Sequence, residues 1–186
     1  AGVSVADDKS AKIAIKNALK FYFLDETAKP PKKKIAEDPT VYALSRNLRW
    51  SKLNKPDDKD KVTQVEGPNK VKQDFILKQF NEKNWDILIP DLETNFITND
   101  AFTFWLDAQR LVVHASEQKG GPLNEVAAEI KAQVARLVTK LPGVTSLIFK
   151  DGKTPFASKE TAEWIQDEVM SSFGAAKSKE KILPPI

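Results

Sequence analysis

The stretch DAFTFWLDAQRLVVHASEQKGGP, residues 100–122, decides the fold. Phe102, Trp105, Leu106, Gln109, Val112, Val113 and Ser116 recur at intervals that place them along one face of a helix. Gly120-Gly121-Pro122 then ends it, since glycine unwinds a helix readily and proline cannot continue one. A second stripe starts at once with Leu123, Ala127, Ile130, Val134, Leu137 and Leu141, and Pro142-Gly143 closes it. Two long amphipathic helices joined by so short a turn are expected to fold back on each other and bury both stripes.

Working upstream, Trp85, Leu88, Ile89, Leu92 and Phe96 mark a helix over about 85–96. Pro90 removes a backbone donor inside it and predicts a kink or a later start. Val71, Phe75, Ile76 and Phe80 mark another helix over about 69–81. Asp38-Pro39 reads as an N-cap followed by Pro at the first helical position. It opens a helix with Val41, Leu44 and Leu48 as its apolar face and Trp50 at its end. The first helix spans about 5–25, with Ala11, Ile15, Ala18, Leu19 and Tyr22 at helical spacing, Ser4 as its cap, and Asp7 and Asp8 at the positive end of its dipole. Residues 51–68 are almost wholly polar and predict a long surface loop. Lys29, Lys32, Lys33 and Lys34, set around Pro30-Pro31, predict a solvated linker rather than an anion-binding patch.

Downstream, Leu147-Ile148-Phe149, Asp151-Gly152 and Pro155-Phe156 predict a small hairpin. Ser158 then caps a last helix to about Phe173, with Ala162, Ile165, Val169 and Phe173 inward. The expected fold is all-α, about seven helices in antiparallel pairs, with a hairpin-like turn near 147–156. The expected organisation is an N-terminal helix and Pro/Lys linker over 1–37, a helical domain over 38–173 and a flexible tail or linker over 174–186. A tetratricopeptide-like array is not sustained, because Gly and Pro do not recur at a fixed period.

Composition narrows the functions. The 186 residues are 41% hydrophobic and 30% charged, ordinary for a soluble domain with a real core. No run reaches the ~20 apolar residues that span a bilayer, so membrane insertion is not expected. Ala1-Gly2-Val3-Ser4 carries neither a basic nor an apolar leader region, and without an initiator Met the sequence reads as a processed chain or a fragment of a longer one. There is no cysteine, which removes disulfides, Cys-based zinc sites and thiol catalysis and agrees with a cytoplasmic protein. The 29 basic and 26 acidic residues nearly cancel, so a nucleic-acid partner is not expected.

Catalysis needs a proton-moving group, a nucleophile or a metal, and the chain offers little of any. His114 is the single histidine and reads as a surface or structural residue without an orienting partner. Glu125 with Glu129, and Glu160 with Glu163, are paired carboxylates on solvated helix faces. No phosphate loop, nucleophile elbow or metal-binding loop is present, so no catalytic residue, cofactor or metal is assigned. Trp50, Trp105 and Trp164, like Trp85, fall on or at the end of apolar faces and read as core. Arg46, Arg49, Asp107 and Arg110 lie beside such faces and are expected either to form an ion-paired network between helices, with Asp107 as the preferred partner of Arg46 or Arg49, or to point to water.

At these residues the chain resembles a known family. Asp38-Pro39-Thr40-Val41-Tyr42-Ala43-Leu44-Ser45-Arg46-Asn47-Leu48-Arg49-Trp50 is similar to a helix of the TssA (ImpA-like) proteins of type VI secretion systems. Phe104-Trp105-Leu106-Asp107-Ala108-Gln109-Arg110 resembles their WLDLQR segment. Leu141-Pro142-Gly143-Val144, the run Phe149–Ala157 and Thr161-Ala162-Glu163-Trp164-Ile165 follow in the family's order. Lys153 interrupts the usual Gly-Thr-Pro run, and Ser158 stands in place of an acidic residue. The resemblance covers about 5–169 and matches a middle domain. It implies a non-enzymatic scaffold for a contractile machine, linking a partner-binding region to a ring-forming one. Baseplate, sheath and tube components are the implied protein partners, a homodimer of the domain is expected, and Arg46, Arg49, Trp50, Trp105, Asp107, Arg110 and Trp164 are the structural signature. A tetratricopeptide-like adaptor for peptide segments is the alternative reading.

Overall fold

Side-chain caps decide where the helices begin. In the computed structural model, which describes residues 4–174, helix α1 (Asp8–Phe21) opens on a capping box. Asp7 accepts from the Ser10 N–H, and the Ser10 hydroxyl accepts from the Asp7 N–H. The cap therefore falls at Asp7 and not at Ser4, because Ser10 completes the reciprocal pair. Strands β1 (Leu24–Asp25) and β2 (Lys32–Lys33) pair antiparallel behind it, so the stretch expected as a linker carries a short ladder. Helix α2 (Pro39–Trp50) begins as expected, with the Asp38 carboxylate accepting from the Thr40 N–H at 2.8 Å.

Residues 51–68 differ from the loop expected. Strands β3 (Asp58–Lys59) and β4 (Val62–Thr63) form a hairpin whose turn residues Asp60 and Lys61 both have positive φ, the arrangement that matches strand twist. The Thr63 N–H donates to the Ile148 carbonyl and the Ile148 N–H to the Lys61 carbonyl, while the Lys150 N–H reaches Val65. The polar segment is thus zipped to the predicted 147–156 hairpin, where Phe149 and Thr154 pair and Asp151 accepts from the Lys153 and Thr154 N–H groups. Gly67 marks the closest approach: a Cβ there would lie 2.7 Å from the Phe149 ring.

Helices α3 (Lys70–Asn81) and α4 (Trp85–Thr98) follow, then α5 (Leu106–Lys119) and α6 (Leu123–Lys140). α7 (Lys159–Trp164) is capped by Ser158 and runs on through a π-helical turn at Ile165–Val169. Pro90 sits inside α4 without delaying its start, because the acceptor it leaves free, the Asp86 carbonyl, lies in an exposed first turn. α5 is the centre of the molecule, packed between α4 and α6; α2 covers α6, α3 and α1 lie against α4, and the last helix closes over α5 and α6. Both stripes expected on α5 and α6 are buried, as are Ile165 and Val169 of the last helix.

Some expected inward faces are turned out. Leu44 is 52% exposed and Val71 81% exposed, while Ile15, Tyr22 and Phe75 are also exposed. In α2 the buried side is Val41, Tyr42, Ser45, Arg46 and Trp50. Helical periodicity fixes a stripe, but here a charged side chain, Arg46, paired internally with Glu93, takes the place that Leu44 was expected to fill. The expected 174–186 tail lies, apart from Gly174, outside the described residues.

Candidate functional site

The densest polar arrangement is a charge network sealed inside the helices. Arg46 is 0% exposed. Its two terminal nitrogens grip Glu93 of α4 at 2.6 and 2.7 Å, and one also donates to the Gln109 side chain of α5 at 2.9 Å. The planar guanidinium matches a carboxylate bidentately, a geometry lysine cannot reproduce. Its central carbon lies 4.8 Å from the centroid of the Phe96 ring and 5.7 Å from that of Tyr42. The Tyr42 hydroxyl donates to the Ala36 carbonyl, and burial, reinforced by the Glu93 charge, pushes its pKa far up, so it stays a neutral donor.

One turn on, Arg49 donates to the Phe96 carbonyl at 2.8 Å and to Asp100 at 2.5 Å. The Arg49 hydrogen bond holds the Asp100 carboxyl below the usual carboxylate range. Trp50 donates from its indole to the Thr103 carbonyl at 2.9 Å, and Lys140 caps the end of α2 by donating to the Ser51 carbonyl. Arg46, Arg49 and Trp50 thus tie α2 to α4 and to the segment around the 3₁₀ turn Asp100–Phe102, and Lys140 ties its end to α6.

Asp107, expected opposite Arg46 or Arg49, does a different job. It accepts from the Ser158 N–H at 2.8 Å, at the start of the last helix. Arg110 donates to Thr161 and forks onto Glu160 at 3.1 and 3.2 Å, and the Leu106 N–H donates to the Phe156 carbonyl at 2.7 Å. The charged residues therefore form two groups: Arg46 and Arg49 register α2 on α4, whereas Asp107 and Arg110 register the last helix on α5. Trp105 is buried edge-on to Phe102, and Trp164 is half-buried against the core.

Glu93 was missed by the sequence reading, although the signal was present. It lies four residues after Ile89 and four before Ile97, so it occupies the apolar stripe of α4. A carboxylate there demands a buried cation, and Arg46 is that cation.

One recess among the described residues gathers several ionisable side chains. It holds about 320 Å³ and is lined by Arg110, His114, Glu117, Glu160, Trp164 and Glu168, among others. His114 packs by its ring against Phe80 and Trp85, Arg110 neutralises Glu160, and Lys131 reaches Glu117 and Glu168. These are solvated, cation-paired carboxylates. Among the described residues no cluster of His, Asp and Glu is arranged to hold a metal ion, and no helix is long and apolar enough to cross a membrane.

Comparison with known proteins gives one assignment. Residues 25–182 match the model of a family described as "Type VI secretion, EvfE, EvfF, ImpA, BimE, VC_A0119, VasJ". No curated protein matches the chain significantly.

Proposed function

The chain belongs to the type VI secretion family of ImpA and VasJ, and from that membership we propose that it is a non-enzymatic scaffold module of the TssA kind, working in the cytoplasm as the middle domain between a partner-binding region and a ring-forming one. The observation that supports this reading is where the signature residues go. Arg46, Arg49, Trp50, Asp107 and Arg110 all use their hydrogen bonds to join one element to another. A module built this way transmits position between neighbours. Its partners are the baseplate, sheath and tube proteins.

The domain also pairs with itself in this reading. Being tethered in a ring raises its effective concentration, so a weak two-fold contact is enough. Helix α2 presents Leu44 to solvent, whereas Phe149, Phe156, Ile165 and Val169 of the 147–156 hairpin and last helix are buried. We place the contact on α2.

Affinity capture with the chain against separately purified baseplate, sheath and tube proteins is expected to retain at least one of them. Sedimentation of the chain alone is expected to show mass rising with concentration, and Leu44→Glu to hold it as a monomer. Failure to retain any component would remove the scaffold reading, and a concentration-independent monomer would remove the pairing.

A further inference from the structure

Helix α1 sets apolar side chains outward. Only Leu19 among its residues is buried, while Ile13, Ile15 and Phe21, with Tyr22 just beyond, are exposed; Phe21 stands 60% exposed. At helical spacing Ala11, Ile15, Ala18 and Tyr22 form one stripe, so its apolar stripe is left largely in water.

The same segment carries an excess of positive charge. Residues 1–37 hold eight lysines against five acidic residues, an excess of three. That equals the net charge of the whole chain, +3, so residues 38–186 are neutral, with 21 basic and 21 acidic. Lys9, Lys29 and Lys32 are exposed and make no ion pair among the described residues. Lys34 holds its ammonium 3.7 Å from the centroid of the Phe21 ring, a cation set directly at the edge of the apolar side chains.

These features choose between occupants. An acidic polypeptide would answer the lysines and leave Ile15, Phe21 and Tyr22 wet. A second copy packed two-fold on this face would cover the apolar side chains but set lysines against lysines. An anionic bilayer answers both, with phosphate headgroups for the ammonium groups and the acyl boundary for the apolar ones. Phe and Tyr beside Lys suit that boundary. We propose that α1 and the β1–β2 hairpin form a peripheral docking surface for an anionic phospholipid membrane. The helix lies on such a membrane and does not enter it, and the docking does not depend on the scaffold role.

Co-sedimentation of the full chain with vesicles tests this. Vesicles of phosphatidylcholine with about one-third phosphatidylglycerol are expected to bind it, pure phosphatidylcholine vesicles to bind it weakly, and added salt to release it. Lys9→Gln, Lys29→Gln and Lys32→Gln together are expected to weaken binding on the order of a hundredfold, each lysine near the surface being worth about fivefold. Ile15→Ser with Phe21→Ser is expected to weaken it by about tenfold or more. These side chains are exposed, so the thermal melt should hold, and Lys78→Gln with Lys83→Gln on the α3 side is the silent control. No binding to anionic vesicles at low salt overturns the proposal. So does binding indifferent to the Ile15 and Phe21 changes, a loss of self-association in their place, or tighter capture by polyglutamate than by the vesicles.

Discussion

Arg46 and Glu93 show what a single buried pair does to a helical domain. Both are essentially removed from water, and the desolvation of two charges offsets much of their attraction. Orientation is what they secure: a bidentate fork accepts one mutual geometry of α2 and α4 and few others. Glu93→Leu is expected to destabilise the chain by about 3–5 kcal/mol by leaving the guanidinium unpaired, whereas Arg46→Met with Glu93→Leu recovers most of that loss. Urea melts of the three variants check it, and equal losses in single and double variants would refute the pairing argument. Arg49 with Asp100 is the wet counterpart, since the Asp100 side chain is 92% exposed. Its carboxyl is held below its ordinary value, so the pair contributes at neutral pH and loses that contribution as pH falls through the depressed value. Asp100→Asn should therefore cost less than about 1 kcal/mol at pH 7, after solvent screening, and nothing in strong acid. Denaturation midpoints at the two pH values measure the difference.

At the scale of elements, two segments far apart in sequence hold one another. The β3–β4 hairpin has little apolar surface of its own, and a two-stranded hairpin alone is marginal in water. Its partner is the 147–156 hairpin, through hydrogen bonds to Ile148 and the stacking of Gly67 beneath Phe149. Gly67→Ala forces a methyl into that ring and is expected to destabilise by about 1–3 kcal/mol. Hydrogen exchange should then quicken in 58–66 and 147–156 together, and a change confined to one segment would show that they are not coupled. The last helix depends similarly on α5, whose Asp107 and Arg110 receive its first turn. Its π-helical turn keeps both Ile165 and Val169 inward.

For the molecule as a whole, α5 is the shared wall of the core, with α4 on one side and α6 on the other. Trp105, at the mouth of α5, is buried against Phe102. Trp105→Ala is expected to lower stability by about 3–5 kcal/mol. Because the neighbouring helices lean on the same helix, far-ultraviolet dichroism and the remaining tryptophan fluorescence should report one transition. A melt within a degree or two of the parent would show that the core does not need it.

The sequence alone determined the helices, the back-folded α5–α6 pair and the stops and starts around them, because caps, glycines, prolines and 3.6-residue periodicity act within a few residues of each other. Asp38-Pro39, Ser158 and the Gly120-Gly121-Pro122 stop were legible for that reason. The motif blocks also carried the family, which the match over 25–182 bears out. The partners of the charged residues were not legible. Arg46 chose Glu93, 47 residues away, and Asp107 chose the Ser158 amide, 51 residues away, and no local rule ranks acceptors at that separation. Nor did periodicity say which stripes would find cover, since Ile15, Leu44 and Val71 are apolar at helical spacing and still face water. Only the tertiary structure decides that, because burial belongs to a pair of surfaces and a sequence stripe supplies one of them.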